Sequence, residues 1–140
     1  DFMWIKKSIN RLYKFWVLTF ITTFAMLLLS GHFYELWIGE KLKIQFTLSV
    51  FMCLFAIMST WNNIFAFFLN GAGKIKLQIY YSLVGMIINI PISVFLSKNM
   101  GLGSSGVILG TCISLLFGTI LAPIQYYKII NQKAFGIWNK

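Results

Sequence analysis

The sequence predicts an all-α protein, a polytopic transmembrane bundle of four membrane-spanning helices. Four windows contain no charged side chain, at residues 15–34, 44–73, 77–97 and 99–127. Each window has at least 20 residues, and a helix of that length crosses the roughly 30 Å hydrocarbon layer of a bilayer. Only 11% of residues are charged and 59% are hydrophobic, with a mean hydropathy of +0.78. Soluble domains carry about 25% charged residues, so lipid is the predicted surrounding.

The chain is predicted to form one domain over residues 1–140. Its helices are predicted at about 15–34, 44–69, 77–97 and 106–127, and its cytoplasmic segments at 1–14 and 128–140. Because Asp1 is not Met, we expect a piece of a longer protein. Helix 1 carries Thr19, Thr22, Thr23 and Ser30, whose hydroxyls can bond the carbonyl one turn back and so enter lipid at low cost.

Helix 2 places polar and small side chains on one side of its second half. Ser59, Asn62, Asn63, Ala66 and Asn70 follow at steps that keep them on one face. Hydrocarbon offers no hydrogen bond to an amide, so this face must look at other helices or a wet cavity. The two asparagines either bond neighbouring helices or line that cavity.

Helix 3 has a continuous polar stripe and an internal proline. The stripe comprises Gln78, Ser82, Gly85, Asn89 and Ser93, at steps of three and four residues. Pro91 lacks an N–H and crowds the carbonyl four residues back, so a kink is predicted there. The kink either serves packing alone or belongs to a gate, as in the broken helices of transporters.

Helix 4 is predicted to pack closely against another helix. Small residues recur every four positions along it, at Gly106, Gly110, Ser114, Gly118 and Ala122, and such spacing lets two backbones approach. Gln125, near the end of helix 4, is the member of this face that can also contact a transported molecule. The candidate transport-path residues are therefore Asn62, Asn63, Gln78, Asn89 and Gln125.

The basic residues predict the orientation of the helices. Of the 12 Lys and Arg, nine fall in the first, third and last connecting segments, and three, Lys41, Lys43 and Lys98, fall on the other side. Basic residues accumulate in cytoplasmic loops, so both ends of this segment are predicted to be cytoplasmic. Aromatic pairs at the window edges are predicted to be interfacial anchors, including Tyr13 with Trp16 and Tyr126 with Tyr127.

Several other functional classes are disfavoured by the residues. The net charge of +9 comes from residues flanking apolar spans, which favours anionic lipid over nucleic acid as the partner. Cys53 and Cys112 lie inside predicted spans. Their separation in sequence from each other and from His32 matches no usual metal-ligand spacing, so neither a metal site nor a cofactor is predicted. The segment 71–74 lacks the strand and residues of a phosphate-binding loop. Without paired carboxylates or a nucleophile beside a base, we do not expect an enzyme.

Five short strings in order resemble a known family. They are Leu36-Trp37-Ile38-Gly39, the stretch from Phe68 through Asn70-Gly71-Ala72-Gly73-Lys74 to Gln78, Ile88-Asn89-Ile90-Pro91, Gly101-Leu102-Gly103-Ser104-Ser105-Gly106-Val107, and Pro123-Ile124-Gln125-Tyr126. They are spread along the chain from residue 36 to residue 126, so the resemblance covers most of it. Their order is similar to that in Wzx-type polysaccharide or O-antigen flippases, members of the multidrug/oligosaccharidyl-lipid/polysaccharide exporter superfamily.

The resemblance implies a two-lobed, MATE-like transporter fold in a bacterial inner membrane, of which this chain is the last third. It implies transport of undecaprenyl-pyrophosphate-linked oligosaccharide for lipopolysaccharide or other surface polysaccharide, coupled to H⁺ or Na⁺. Polysaccharide polymerase and glycosyltransferases are the partners implied. The four windows hold no Arg or Lys, which departs from the expected basic cavity and assigns the cationic residues to other helices.

Three alternatives stay open at this point. A drug or cation exporter of the same superfamily would want a carboxylate within a span, and the four windows contain none. An integral-membrane enzyme for lipid-linked sugars would have to use Glu35, Glu40 and His32. A small structural membrane subunit is the third alternative.

Overall fold

A computed structural model describes residues 2–39 and 44–140. Four long helices make up the fold: α1 Phe2–Ile38, α2 Phe46–Gly71, α3 Lys76–Val94 and α4 Gly103–Ile130. A π-helical turn, Phe95–Asn99, continues α3, and a 3-10 turn, Gly136–Asn139, follows α4. The predicted all-α class is confirmed. Asp1, Glu40, Lys41 and Lys43, which entered the sequence predictions, lie outside the described residues.

All four helices are long and apolar enough to cross a membrane. Their outward faces carry large apolar side chains that water would not solvate well, such as Met26, Phe67 and Ile87, which are 67%, 71% and 67% exposed. Contiguous apolar surface of this kind marks a membrane or protein interface. Together with the helix lengths, it indicates a membrane protein and confirms four candidate spans.

The first helix begins 13 residues before the uncharged window that predicts it. Ile5, Ile9 and Tyr13 recur at four-residue steps and so share one face of this extension. Ile9 is 4% exposed and lies in the core cluster, with Ile5 and Tyr13 packed against it. This packing stabilises helix in a segment whose composition alone is polar.

The helix order in space differs from the order in the chain. Both α2 and α3 pack against α4, and α1 packs on α2. The largest core cluster lies where α1 begins, α2 ends and α4 ends, which we call the basic end because Lys6, Lys74 and Lys128 are there. That cluster comprises Ile9, Ile64, Phe65, Leu69, Ala122, Tyr126 and Ile130.

Aromatic residues join α1, α2 and α4 near the basic end. Trp16 donates its indole N–H to the Ile57 carbonyl at 3.0 Å, and Trp61 donates to the Thr119 carbonyl at 3.2 Å. The two indole rings meet edge to face with centroids 5.0 Å apart. Tyr126 is 5% exposed, so it is a core residue and not the interfacial anchor that the sequence predicts.

Four aliphatic hydroxyls of α1 bond to their own helix. Thr19, Thr22 and Thr23 each donate to the carbonyl four residues back, at 2.7 to 3.0 Å. Ser30 donates to the Leu27 carbonyl. The sequence prediction for these side chains is confirmed. Because each hydroxyl already has a backbone partner, it needs no hydrogen bond from the surroundings of α1.

The contact between α3 and α4 depends on glycine. A Cβ on Gly106 would lie 2.6 Å from the Ser97 nitrogen and 2.7 Å from the Leu96 carbonyl carbon. A Cβ on Gly110 would lie 2.9 Å from the Ser93 Cα and collide with its hydroxyl. These are backbone contacts, so a side chain at either position would push the two helices apart. Next to them, α3 runs through Pro91, and its predicted kink stays a prediction.

Alanine substitutions at Gly106 and Gly31 distinguish the effect of close helix packing on stability from the effect of helix propensity. Gly106→Ala should destabilise the protein by about 1 to 3 kcal/mol, because overpacking a close contact forces backbone shifts. Gly31 lies in α1 with nothing within 4 Å of an added Cβ, so Gly31→Ala should be neutral or stabilise by up to about 1 kcal/mol. Thermal unfolding in detergent, followed by circular dichroism, measures both. Equal effects of the two substitutions would contradict the close contact.

Candidate functional site

A groove of about 520 Å³ lies between three helices, from mid-span toward the basic end, and its apolar walls carry several amides and hydroxyls. It forms because α2 and α3 both pack on α4, so α4 is its floor and the other two helices are its walls. We call it the central groove. Its lining residues are Asn62, Asn63 and Ala66 from α2, Gln78, Tyr81, Ser82, Gly85, Met86, Asn89 and Ile90 from α3, and Thr111, Ser114, Leu115 and Gly118 from α4.

Four of the five predicted transport-path residues meet in this groove, although they come from two separate helices. Asn62, Asn63, Gln78 and Asn89 all line it. Of the predicted packing residues, Ser114 and Gly118 also contribute to its floor, whereas Gly106 and Gly110 lie against α3. The packing face and the polar stripes are therefore parts of one surface.

Asn62 joins α2 to α4. Its Nδ2 donates to the Thr119 hydroxyl at 2.9 Å and to the Met58 carbonyl at 3.0 Å. The amide reaches α4 because Gly118 has no side chain: a Cβ there would lie 2.6 Å from Asn62 Oδ1 and 3.2 Å from a Tyr81 ring carbon. Asn62 thus both bonds the neighbouring helix and lines the groove, so the two roles considered for it from the sequence are compatible.

Asn89 forms a similar bridge from α3 to α4. Its Nδ2 donates to the Thr111 hydroxyl at 3.3 Å, and its Oδ1 accepts from Ser93 Oγ at 3.3 Å. Thr111 in turn donates to the Val107 carbonyl at 3.1 Å. This network holds the amide in place on the wall of the groove while α3 and α4 remain in contact.

Asn63 and Gln78 differ from these two amides because the protein leaves them hydrogen-bonding capacity. Asn63 is exposed, and within residues 2–39 and 44–140 no hydrogen bond from its side chain is found. Gln78 Oε1 is buried, yet it accepts no hydrogen bond from the described residues. A buried acceptor without a partner costs about 1 to 3 kcal/mol, so a bound donor group would relieve that cost.

The polar surface continues from the groove toward the basic end. A second cleft of about 320 Å³ shares Gln78, Ser82 and Met86 with the central groove and adds Asn70, near the end of α2. The side chains of α2 and α3 therefore provide polar groups from mid-span to the edge of the bundle.

The electrostatic character of the central groove is neutral. All of its described polar side chains are amides, hydroxyls or the phenol of Tyr81. Such groups both donate and accept hydrogen bonds, as the hydroxyls of a sugar do, and they supply no charge to offset a phosphate or an ammonium. Among the described residues, no three His, Cys, Asp or Glu side chains come together as metal ligands.

Gln125 does not lie in the groove. It is fully buried at the basic end, where its Nε2 donates to the Lys74 carbonyl at 3.0 Å and the Trp138 carbonyl at 3.2 Å. Lys74 follows the turn that ends α2, in which Gly73 has a φ of +67°. Gln125 therefore ties this turn and the segment after α4 to the end of α4, which is a structural role.

Two polar residues of the groove, Tyr81 and Thr111, are not among the sequence candidates, although helical spacing places both on the right face. Tyr81 lies three residues after Gln78 and four before Gly85, so it belongs to the same stripe of α3. Thr111 lies three residues before Ser114 on α4. The residue type of Tyr81 favours a membrane-interface position, and Thr111 directly follows Gly110 of the predicted packing face.

Comparisons of the chain with protein-family models, curated proteins and solved structures find no match.

Replacing Gln125 tests whether its two hydrogen bonds hold the turn after α2 and the segment after α4 against the end of α4. Gln125→Ala removes the side-chain donor from the half-buried Lys74 and Trp138 carbonyls, which should cost about 1 to 3 kcal/mol and loosen the 3-10 turn. We expect a lower unfolding temperature in detergent and faster tryptic cleavage after Lys133. Gln45→Ala is the control, because Gln45 is exposed and its side chain makes no capping hydrogen bond. Unchanged cleavage in Gln125→Ala would show that the tie does not hold the segment.

Proposed function

We propose that this chain is part of an exporter that flips undecaprenyl-pyrophosphate-linked oligosaccharide units across the bacterial inner membrane. It forms the last four helices of the second lobe of a two-lobed, MATE-like fold, with both ends of the segment in the cytoplasm. The observation that carries the proposal is the central groove, which holds neutral amides and hydroxyls at mid-span of apolar helices. The family strings in the sequence point to the same substrate class.

The chemistry of the groove suits the sugar part of such a substrate. Sugar hydroxyls need partners that donate and accept, and amides provide both. Away from bulk water these hydrogen bonds are stronger, and an unpaired polar group is costly. Asn63 and Gln78 supply the groups that the protein leaves available, whereas Asn62 and Asn89 are held by α4 and keep the walls in place.

The diphosphate and the coupling ion are assigned to other parts of the transporter. A diphosphate carries negative charge and pairs with Lys or Arg, and a coupling H⁺ or Na⁺ binds a carboxylate. The described lining of the central groove provides neither. In this proposal the chain contacts the neutral glycan, makes no covalent bond, and alternates its access through movement against the other lobe.

Complementation tests the proposed activity. The full-length protein should restore surface polysaccharide in cells that lack their own matching flippase. Lipid-linked oligosaccharide facing the cytoplasm is then measured in vesicles. Continued accumulation of these units despite normal protein levels in the membrane would contradict the proposal.

Substitutions at Asn63 and Gln78 test the groove itself. Asn63→Ala or Gln78→Ala should slow transport about three- to tenfold, the loss expected for one hydrogen bond to substrate, with little change in unfolding temperature. Asn99→Ala is the matched control, since Asn99 is also exposed but lies in the π-helical turn outside the groove. Transport at the normal rate in both groove variants would remove the groove from the transport path.

A further inference from the structure

A separate polar cleft lies at the basic end, between the beginning of α1 and the end of α4. Its volume is about 190 Å³, and we call it the terminal cleft. Lys6, Asn10 and Tyr13 line it from α1, at steps of four and three residues that place them on one face. The opposite wall comprises Tyr126, Tyr127, Ile130 and Asn131.

The terminal cleft exists because α1 extends beyond its apolar window. The burial of Ile9 in the core cluster holds the first turns of α1 against the end of α4. Lys6 lies three residues before Ile9 and Asn10 directly follows it, and both side chains remain exposed. Their polar groups are thus kept at a fixed place on the protein while remaining accessible.

Every polar side chain of the cleft can donate a hydrogen bond, and Lys6 can only donate. Lys6 offers an ammonium, Asn10 and Asn131 offer amide N–H groups, and the tyrosines offer phenol O–H groups. No carboxylate is among the described lining residues. The last carbonyls of α4 are largely satisfied by the chain itself, since the backbone N–H groups of residues 131, 132 and 133 donate to Tyr127, Ile129 and Lys128 at 3.1, 3.0 and 2.8 Å. The negative end of the helix dipole is therefore capped.

The surrounding charge is positive. Lys7, Arg11 and Lys14 are exposed on α1 next to the cleft, and Lys128 and Lys133 lie near the end of α4. Glu35 is the one acidic residue in the described ranges 2–39 and 44–140, and it lies near the opposite end of α1. A donor-rich cleft in a positive field favours an anion with several acceptor oxygens, and a phosphate has this chemistry.

The position of the cleft along α1 matches the headgroup layer of a bilayer. The uncharged window begins at Phe15, and at 1.5 Å per residue Tyr13, Asn10 and Lys6 lie about 3, 8 and 13 Å beyond it. The polar layer on each side of the hydrocarbon is roughly 5 to 8 Å thick. Asn10 and Tyr13 therefore fall within that layer, and the flexible Lys6 side chain reaches it from the aqueous side.

We propose that the terminal cleft binds the phosphate of an anionic phospholipid headgroup, with Lys6 as its charged ligand and Asn10 and Asn131 as amide donors. The site is distinct from the central groove and does not depend on the proposed transport activity. A soluble phosphate shares the same recognition chemistry, and the depth of the cleft favours the lipid. Such a bound lipid would hold α1 and α4 together at the basic end.

Lipid titration of the detergent-purified full chain tests the site by native mass spectrometry. The first phosphatidylglycerol should bind tighter than phosphatidylcholine. Lys6→Gln should weaken it about tenfold, the loss of one charge-assisted hydrogen bond, and Lys6→Arg should restore it. Lys7→Gln is the matched control. It removes the same charge from the neighbouring residue, which is exposed and lies outside the cleft. We expect it to bind phosphatidylglycerol within twofold of the unsubstituted chain.

A second arm identifies the source of the phosphate. Inorganic phosphate and pyrophosphate are added in competition at millimolar concentration. If they leave the phosphatidylglycerol complex intact, the headgroup assignment is supported; if they displace it in a manner that depends on Lys6, the site is a soluble-phosphate site and the lipid assignment is overturned. Equal losses in Lys6→Gln and Lys7→Gln, or no preference over phosphatidylcholine, would show a diffuse charge effect and overturn the cleft itself. Asn131→Ala, expected to weaken binding severalfold, checks the amide contribution independently.

Discussion

The close approach of α3 to α4 is the contact on which the rest of the bundle depends. Gly106 and Gly110 let the α4 backbone lie directly against residues 93–97. In hydrocarbon there is little hydrophobic drive between helices, and tight van der Waals packing has to replace it. With α3 held on one side of α4 and α2 on the other, the space between α2 and α3 stays open as the central groove.

The same approach solves the problem of polar groups away from water. Asn62 and Asn89 bond hydroxyls on α4, which is possible only because small residues on α4 leave room beside those hydroxyls. The threonine hydroxyls of α1 bond within their own helix instead, so that helix can face lipid. Asn63 and Gln78 retain hydrogen-bonding capacity, and both line the central groove.

The two ends of the bundle are built differently. At the basic end, aromatic rings and Gln125 lock α1, α2, α4 and the segment after α4 into one core. Toward the other end, α1 carries exposed apolar side chains and few neighbours other than α2. The basic end thus joins α1, α2 and α4 through side chains, whereas at the other end the backbones of α3 and α4 meet at Gly106 and Gly110.

The sequence by itself determined the four helices, their apolar exteriors and the polar stripes, because hydropathy, length and helical periodicity are local properties of the chain. It could not decide how the stripes are used. Adjacent Asn62 and Asn63 look alike in the sequence, yet only Asn62 meets a hydroxyl on α4. Gln125 looks like a continuation of the path, yet it lies buried against two carbonyls. The extension of α1 likewise depends on Ile9 finding a core. Periodicity gives the face of a helix, whereas the neighbour on that face, and hence the role of each residue, is decided by tertiary packing.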